Sequence, residues 1–210
     1  MKAVQSGWLV GVVLAGLAGM AATPVLAQNA AAGPSKSVLS GEKRADAIND
    51  AVLASLAEIT DLHWHKGEYN HIINLDRMII AGRPDHLDAY ANAAWLLWSM
   101  NRDAEAVALY QQGLKANPKT AFMYDELGHY YYNRKKDYAT AIRYYEKAVT
   151  FDDCPDFTYR MLAHSYERNK QLDKALAAWQ RAVEKFPESQ PAKNNLNRVK
   201  QLVEQRGAKG

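Results

Sequence analysis

The chain lacks most of the features that mark the large functional classes. It has one cysteine, Cys154, in 210 residues, so no disulfide can form within a single chain and the fold must be held by packing alone. Neither sign of charge dominates: 26 Lys and Arg stand against 23 Asp and Glu, a net charge of +3 with both signs scattered, which makes nucleic acid or an anionic membrane an unnatural partner. There is no Gly-rich phosphate loop, no HExxH pair, no nucleophile elbow and no cysteine set beside a histidine in a recognisable signature. No catalytic residue, metal set or cofactor is therefore expected. Acidic neighbours such as Glu58 with Asp61, or Asp125 with Glu126, are what charged helix surfaces routinely produce. Strand-like alternation is missing as well.

What is present begins at the N-terminus. Residues 1–27 carry one charge, at Lys2, then an uncharged apolar run from Gly7 to Ala22, and end in Val25-Leu26-Ala27. This is the layout of a secretory signal peptide cleaved after Ala27, and it leads to the expectation of a periplasmic or secreted chain with no stable membrane span after cleavage. Residues 28–43, QNAAAGPSKSVLSGEK, are small, polar and broken by Gly and Pro, and read as a flexible linker. Residues 44–206 keep helical apolar spacing, and 207–210 form a short tail.

Within 44–206 the sequence has a period. Pro84, Pro118 and Pro187 are 34 and 69 residues apart, and Tyr90, Tyr124 and Tyr159 follow the same step. So do Ala94, Gly128 and Ala163; Tyr110, Tyr145 and Trp179; and Gly113, Ala148 and Ala182. One extra residue falls within Asn133 to Asp137, NRKKD, which is expected to be a loop. Each period holds two amphipathic stretches separated by a break, so each unit is a helical hairpin. Small residues are needed where the two helices of a hairpin cross, and large aromatics fill the wedge between hairpins. The units run approximately 53–86, 87–120, 121–155 and 156–189. A narrow stripe of Leu196, Val199 and Val203 makes 190–206 a capping helix entered through Ser189.

The fourth unit carries Leu162, Ala163, Tyr166, Ala175, Trp179, Ala182 and Pro187, and the third carries Leu127, Gly128, Tyr131, Ala141, Tyr145 and Ala148. The second keeps Ala94, Ala106, Tyr110, Gly113 and Pro118, while the first keeps only Gly67, Tyr69 and Pro84. With these residues at this spacing the chain resembles tetratricopeptide repeat proteins. The resemblance implies an all-α fold, a right-handed α-solenoid of antiparallel helical hairpins closed by a C-terminal capping helix. It also implies a concave groove, lined by the first helix of each hairpin, that takes a protein or peptide partner.

Carrying the groove positions over residue by residue gives Glu58, Asp61, Trp64 and His65, then Asp88, Asn92, Trp95 and Trp98. Phe122, Asp125, His129, Tyr132 and Asn133 follow, then Phe157, Arg160, His164 and Arg168, with Asn194 and Arg198 on the cap. These residues make an aromatic stripe and a gradient from acidic to basic. The expected function is a non-catalytic interaction module or scaffold of the bacterial cell envelope. The alternative is a small-ligand or metal receptor using the groove Trp and His residues, and weak self-association through the end hairpins stays open. The segment DLHWHKGEYNH, Asp61 to His71, holds three histidines. On helical geometry they are expected to point three ways, His63 inward, His65 to the groove and His71 to solvent, and not to converge on one ion.

Overall fold

The computed structural model describes residues 41–208; the expected signal peptide, its cleavage point and most of the expected linker lie outside them. The helices are α1 (Gly41–Lys66), α2 (Tyr69–Gly82), α3 (Leu87–Ser99), α4 (Asp103–Ala116), α5 (Phe122–His129), α6 (Tyr138–Ala148), α7 (Asp156–Arg168), α8 (Leu172–Lys185) and α9 (Gln190–Gly207). Each helix packs on its neighbour in the chain, and α3 also meets α5. Among the described residues there is no strand, and no helix is long and apolar enough to cross a membrane. The last three residues of the expected linker, 41–43, are already helical.

The turn inside each hairpin has the same construction. Gly67, Asn101, Lys136 and Lys170 all have positive φ, between 54° and 71°. The amide after each of them reaches back to a carbonyl of the helix it ends: Glu68 to His63, Arg102 to Leu97, Asp137 to Tyr131 and Gln171 to Tyr166, at 2.9–3.0 Å. A left-handed residue followed by this long backward bond is the standard way to satisfy the last carbonyls of a helix. Only the first turn uses glycine; the other three hold L side chains where these cost free energy.

In the third turn the backward bond spans six residues where the others span five, which locates the extra residue. It is not in a loop, as the sequence suggested. Helix α5 continues into a π-helical turn, Tyr130–Lys135, whose wider winding absorbs the insertion. Three successive tyrosines explain the preference: Tyr130 is fully buried and Tyr131 stacks on Tyr144 at 5.5 Å, so widening the turn keeps both rings in the core.

Two continuous hydrophobic clusters fill the interior, one from Ile72 to Tyr130 and one from Ala121 to Val199. Tyr90, Tyr110, Tyr145 and Trp179 are essentially inaccessible. Their partners are the small residues: a Cβ on Gly128 would lie 2.6 Å from the Tyr145 ring, and one on Gly113 would lie 2.5 Å from Met123 Sδ and 2.9 Å from Tyr90. Cys154, in the connection between α6 and α7, is also interior, and burial pushes its thiol up to about 11. Helix α1 departs from the pattern, because it is 26 residues long and leaves Ile48, Val52, Ile59 and Leu62 exposed.

One carboxylate joins the cap to both helices of the last hairpin. Glu167 of α7 accepts from the Trp179 indole of α8 at 2.9 Å and from Arg198 of α9, and sits 3.5 Å from His164. Burial works against its ionisation, but the bonds from His164, Trp179 and Arg198 outweigh it and bring the carboxyl to about 2. A carboxyl lowered on folding adds stability that is complete above its ordinary value and is lost as pH falls towards the folded one.

Three outcomes follow from this packing. Gly128→Ala should lower the free energy of unfolding in urea by about 1–3 kcal/mol, since the Tyr145 ring has nowhere to go, whereas Gly207→Ala, with open space around it, should leave it unchanged. Lys170→Gly should raise it by roughly 0.5–1 kcal/mol, as the left-handed strain exceeds the entropy glycine adds to the unfolded chain. Glu167→Gln should cost roughly 1–3 kcal/mol at pH 7. That deficit should shrink as pH is lowered from 4.5 to 2, and urea melts across this range would show it; a constant deficit would refute the linkage.

Candidate functional site: the face of the first helices

The expected groove residues do not form one continuous exposed surface. Near the N-terminal end, Trp64 at the close of α1 lies 5.9 Å from Trp95 on α3, and Trp95 lies 5.9 Å from Trp98, all within the range of attractive ring pairs. Tyr69, the first residue of α2, is 5.8 Å from Trp64 and extends the cluster. It is a kept residue of the repeat pattern but not one of the expected groove positions, because it belongs to a second helix; the Gly67 turn brings it forward.

The rings divide into two roles. Trp64 is 40% exposed and Trp95 42%, so both present broad faces to solvent. Trp98 is half-buried against the core beside Tyr110, whose hydroxyl donates to Glu126 Oε2 at 3.3 Å. Burial, with the charge of Asp125 adding to it, pushes the Glu126 carboxyl up to about 7. Trp98 is thus the wall behind the exposed pair.

Elsewhere on this face, intramolecular partners occupy most of the expected residues. Asn92 donates to Asp76 Oδ2 at 2.7 Å; Asp76 is buried in α2, and that burial pushes it up to about 7 even though the Asn92 bond opposes it. Asp125 accepts from the Thr158 hydroxyl at 2.7 Å and is raised by burial. The His129 ring lies 6.3 Å from Phe157, and burial lowers its pKa despite the nearby Asp125. Arg160 is bound to Asp156 at 2.8 Å and lies over the Phe157 ring. His164 packs edge-on against Trp179 at 4.8 Å, and Arg198 is taken by Glu167. Tyr132 meets Tyr138 at 5.3 Å and lies close enough to Arg168 to raise the guanidinium's pKa. Tyr132 and Asn133 both lie in the π-helical turn, so their directions are not those an unbroken α-helix would give.

Among the charged positions, Glu58, Asp61, Asp88 and Arg168 are exposed, and Asp61 pairs only loosely with His65, at 3.7 Å. The expected gradient therefore survives on its acidic side, while Arg160 and Arg198 on the basic side are neutralised by Asp156 and Glu167.

The three histidines do not separate as expected. His65 points away, but His63 and His71 face each other across the α1–α2 turn, ring centroids 5.0 Å apart and nearly perpendicular. Glu68 lies between them, its Oε2 2.5 Å from His63 Nδ1 and 3.8 Å from His71 Nδ1. Helical spacing sets directions only along one helix; the Gly67 reversal places His71 on a second helix folded back against the first.

Comparison with known proteins agrees with this architecture. Tetratricopeptide repeat models match residues 87–120, 123–153 and 157–189. No curated protein matches the chain. Among solved structures, it is similar to MamA from Desulfovibrio magneticus RS-1, at 18% identity over 72% of this chain and 85% of that one, with a TM-score of 0.56. PilW, described as a widely conserved type IV pilus biogenesis factor, gives 19% identity, coverage of 74% and 72%, and a TM-score of 0.57. Pseudomonas aeruginosa PilF gives 15%, with coverage of 76% and 71% and a TM-score of 0.58. At these identities the likeness concerns the fold. Together with the matched repeats, the periodic small and aromatic residues and the stacked hairpins they form, it shows that this chain is a tetratricopeptide repeat protein.

Proposed function

We propose that the protein is a non-catalytic interaction module of the bacterial cell envelope that holds a protein or peptide partner on the face of its first helices. The observation that carries this reading is the solvent-open Trp64–Trp95 pair, backed by Trp98 and flanked by Tyr69. Large rigid rings with a firm wall behind them lose little entropy on binding, and such residues dominate the energetics of protein interfaces. Helical repeats that stack neighbour on neighbour present extended surfaces suited to this use. The exposed Asp61 and Asp88, on the same helices as Trp64 and Trp95, favour a partner segment that joins an apolar or aromatic anchor to a basic residue.

The raised carboxyls of this face, Asp76, Asp125 and Glu126, are held by Asn92, Thr158 and Tyr110 within the packing, which supports a binding rather than a catalytic use. Export to the envelope is supported by the signal-like character of residues 1–27 and by the fold shared with PilW, a pilus biogenesis factor.

Crosslinking of the mature protein in envelope extract should recover a specific partner. Replacing both Trp64 and Trp95 by Ala should cut that recovery at least tenfold, which corresponds to about 1.4 kcal/mol or more, with no change in the melting temperature beyond that of a Lys193→Ala control. Undiminished capture by the double variant would rule out this face. Fractionation should place a chain beginning at Gln28 in the envelope, and a full-length cytosolic product would overturn the export reading.

A further inference from the structure

The geometry points to a transition-metal site at the α1–α2 turn, in which His63, Glu68 and His71 hold a divalent ion of the zinc and copper class. This does not depend on the partner-binding reading. Two imidazoles and a carboxylate offer three donor atoms, all within 4.8 Å of one another. A tetrahedral ion with ligands at about 2.0–2.2 Å separates its donors by roughly 3.4 Å. His63 and Glu68 now stand closer than that, at 2.5 Å, and Glu68 and His71 slightly further, at 3.8 Å. Insertion of an ion requires Glu68 to withdraw from His63 by about an ångström and His71 to swing inward, and both side chains are on the solvent side and free to do so.

The backbone of the three residues is already fixed. The Glu68 amide donates to the His63 carbonyl at 3.0 Å, and the His71 amide donates to the Glu68 carbonyl at 2.9 Å. Gly67, at φ +71°, makes the reversal that permits both bonds. A ligand set whose backbone is locked in the apo protein loses little entropy on binding. His63 is the least exposed of the three and gives the site a seated ligand. Beside Glu68 and His71 opens a hollow of about 210 Å³ lined also by Asn70 and Met100, with room for the water that would complete the coordination. Imidazole with a single carboxylate suits Zn²⁺, Cu²⁺ and Ni²⁺, whereas Mg²⁺ and Ca²⁺ require more oxygen donors.

Occupancy would also act on the aromatic face, because Trp64 follows His63 directly and Tyr69 follows Glu68. The ion would tie together the two helix ends that carry this ring pair.

Calorimetry on the mature chain without a histidine tag should show one Zn²⁺ per molecule, no comparable heat with Mg²⁺, and a change in tryptophan emission on loading. His71→Ala and Glu68→Gln should each weaken binding at least tenfold and abolish the emission change, while His65→Ala should do neither. His71 and Glu68 are surface residues, and unchanged circular dichroism would establish that the variants are folded. The inference is overturned by absence of binding at roughly 0.1 mM Zn²⁺, far above the range of real zinc sites, or by equal weakening in His65→Ala and His71→Ala.

Discussion

Everything in this array depends on how closely two helices can approach at the points where one of them has almost no side chain. At Gly128 the Tyr145 ring occupies the space a Cβ would need, and at Gly113 Met123 and Tyr90 do the same. The fully buried Ala94, Ala148, Ala163 and Ala182 are the equivalents that tolerate one carbon. The large ring opposite each small residue fills what would otherwise be a void, and the next hairpin seats on it. Without these contacts the helices would separate and the two hydrophobic clusters could not run continuously.

Apolar packing supplies the stability, but it is only weakly directional, and a second system sets the register. Thr158 donates to Asp125, Ser189 to Asp156 and Asn117 to the Pro84 carbonyl, each pair 33 residues apart. Thr120 and the Ala121 amide donate to Asp153, and Arg134 reaches back to both Asn101 and Asp103. Each repeat thus bonds to nearly the same position of its neighbour, so a slip by one helical turn would leave a column of half-buried polar groups unpaired. Of the carboxylates expected to line the groove, Asp125 is part of this ladder. Glu58, Asp61 and Asp88 stay exposed, and Asn92 is engaged separately, by Asp76.

The hairpins, their period and the small-against-large pairing could be read from the sequence because they are local or periodic: an amphipathic stretch, a break and a proline leave a mark wherever they recur. The location of the extra residue could not. Counting placed it within NRKKD, but whether it enlarges a loop or widens a helix depends on Tyr130 and Tyr131 needing to stay in the core. Exposure was equally hidden. Trp95 and Trp98 are three residues apart on one helix, yet one faces solvent while the other packs against the core cluster that holds Tyr110 of α4.

By itself, then, the sequence determined an all-helical repeat with its hairpin register, its closing helix and the absence of recognisable catalytic signatures, since these follow from residue type and spacing along one chain. Only the tertiary structure decided which rings remain free, which charges are already spent on one another, and that His63, Glu68 and His71 meet. The reason is the same in each case. A side chain's environment is set by the helix packed against its own, and on that second helix no spacing within the first has any bearing.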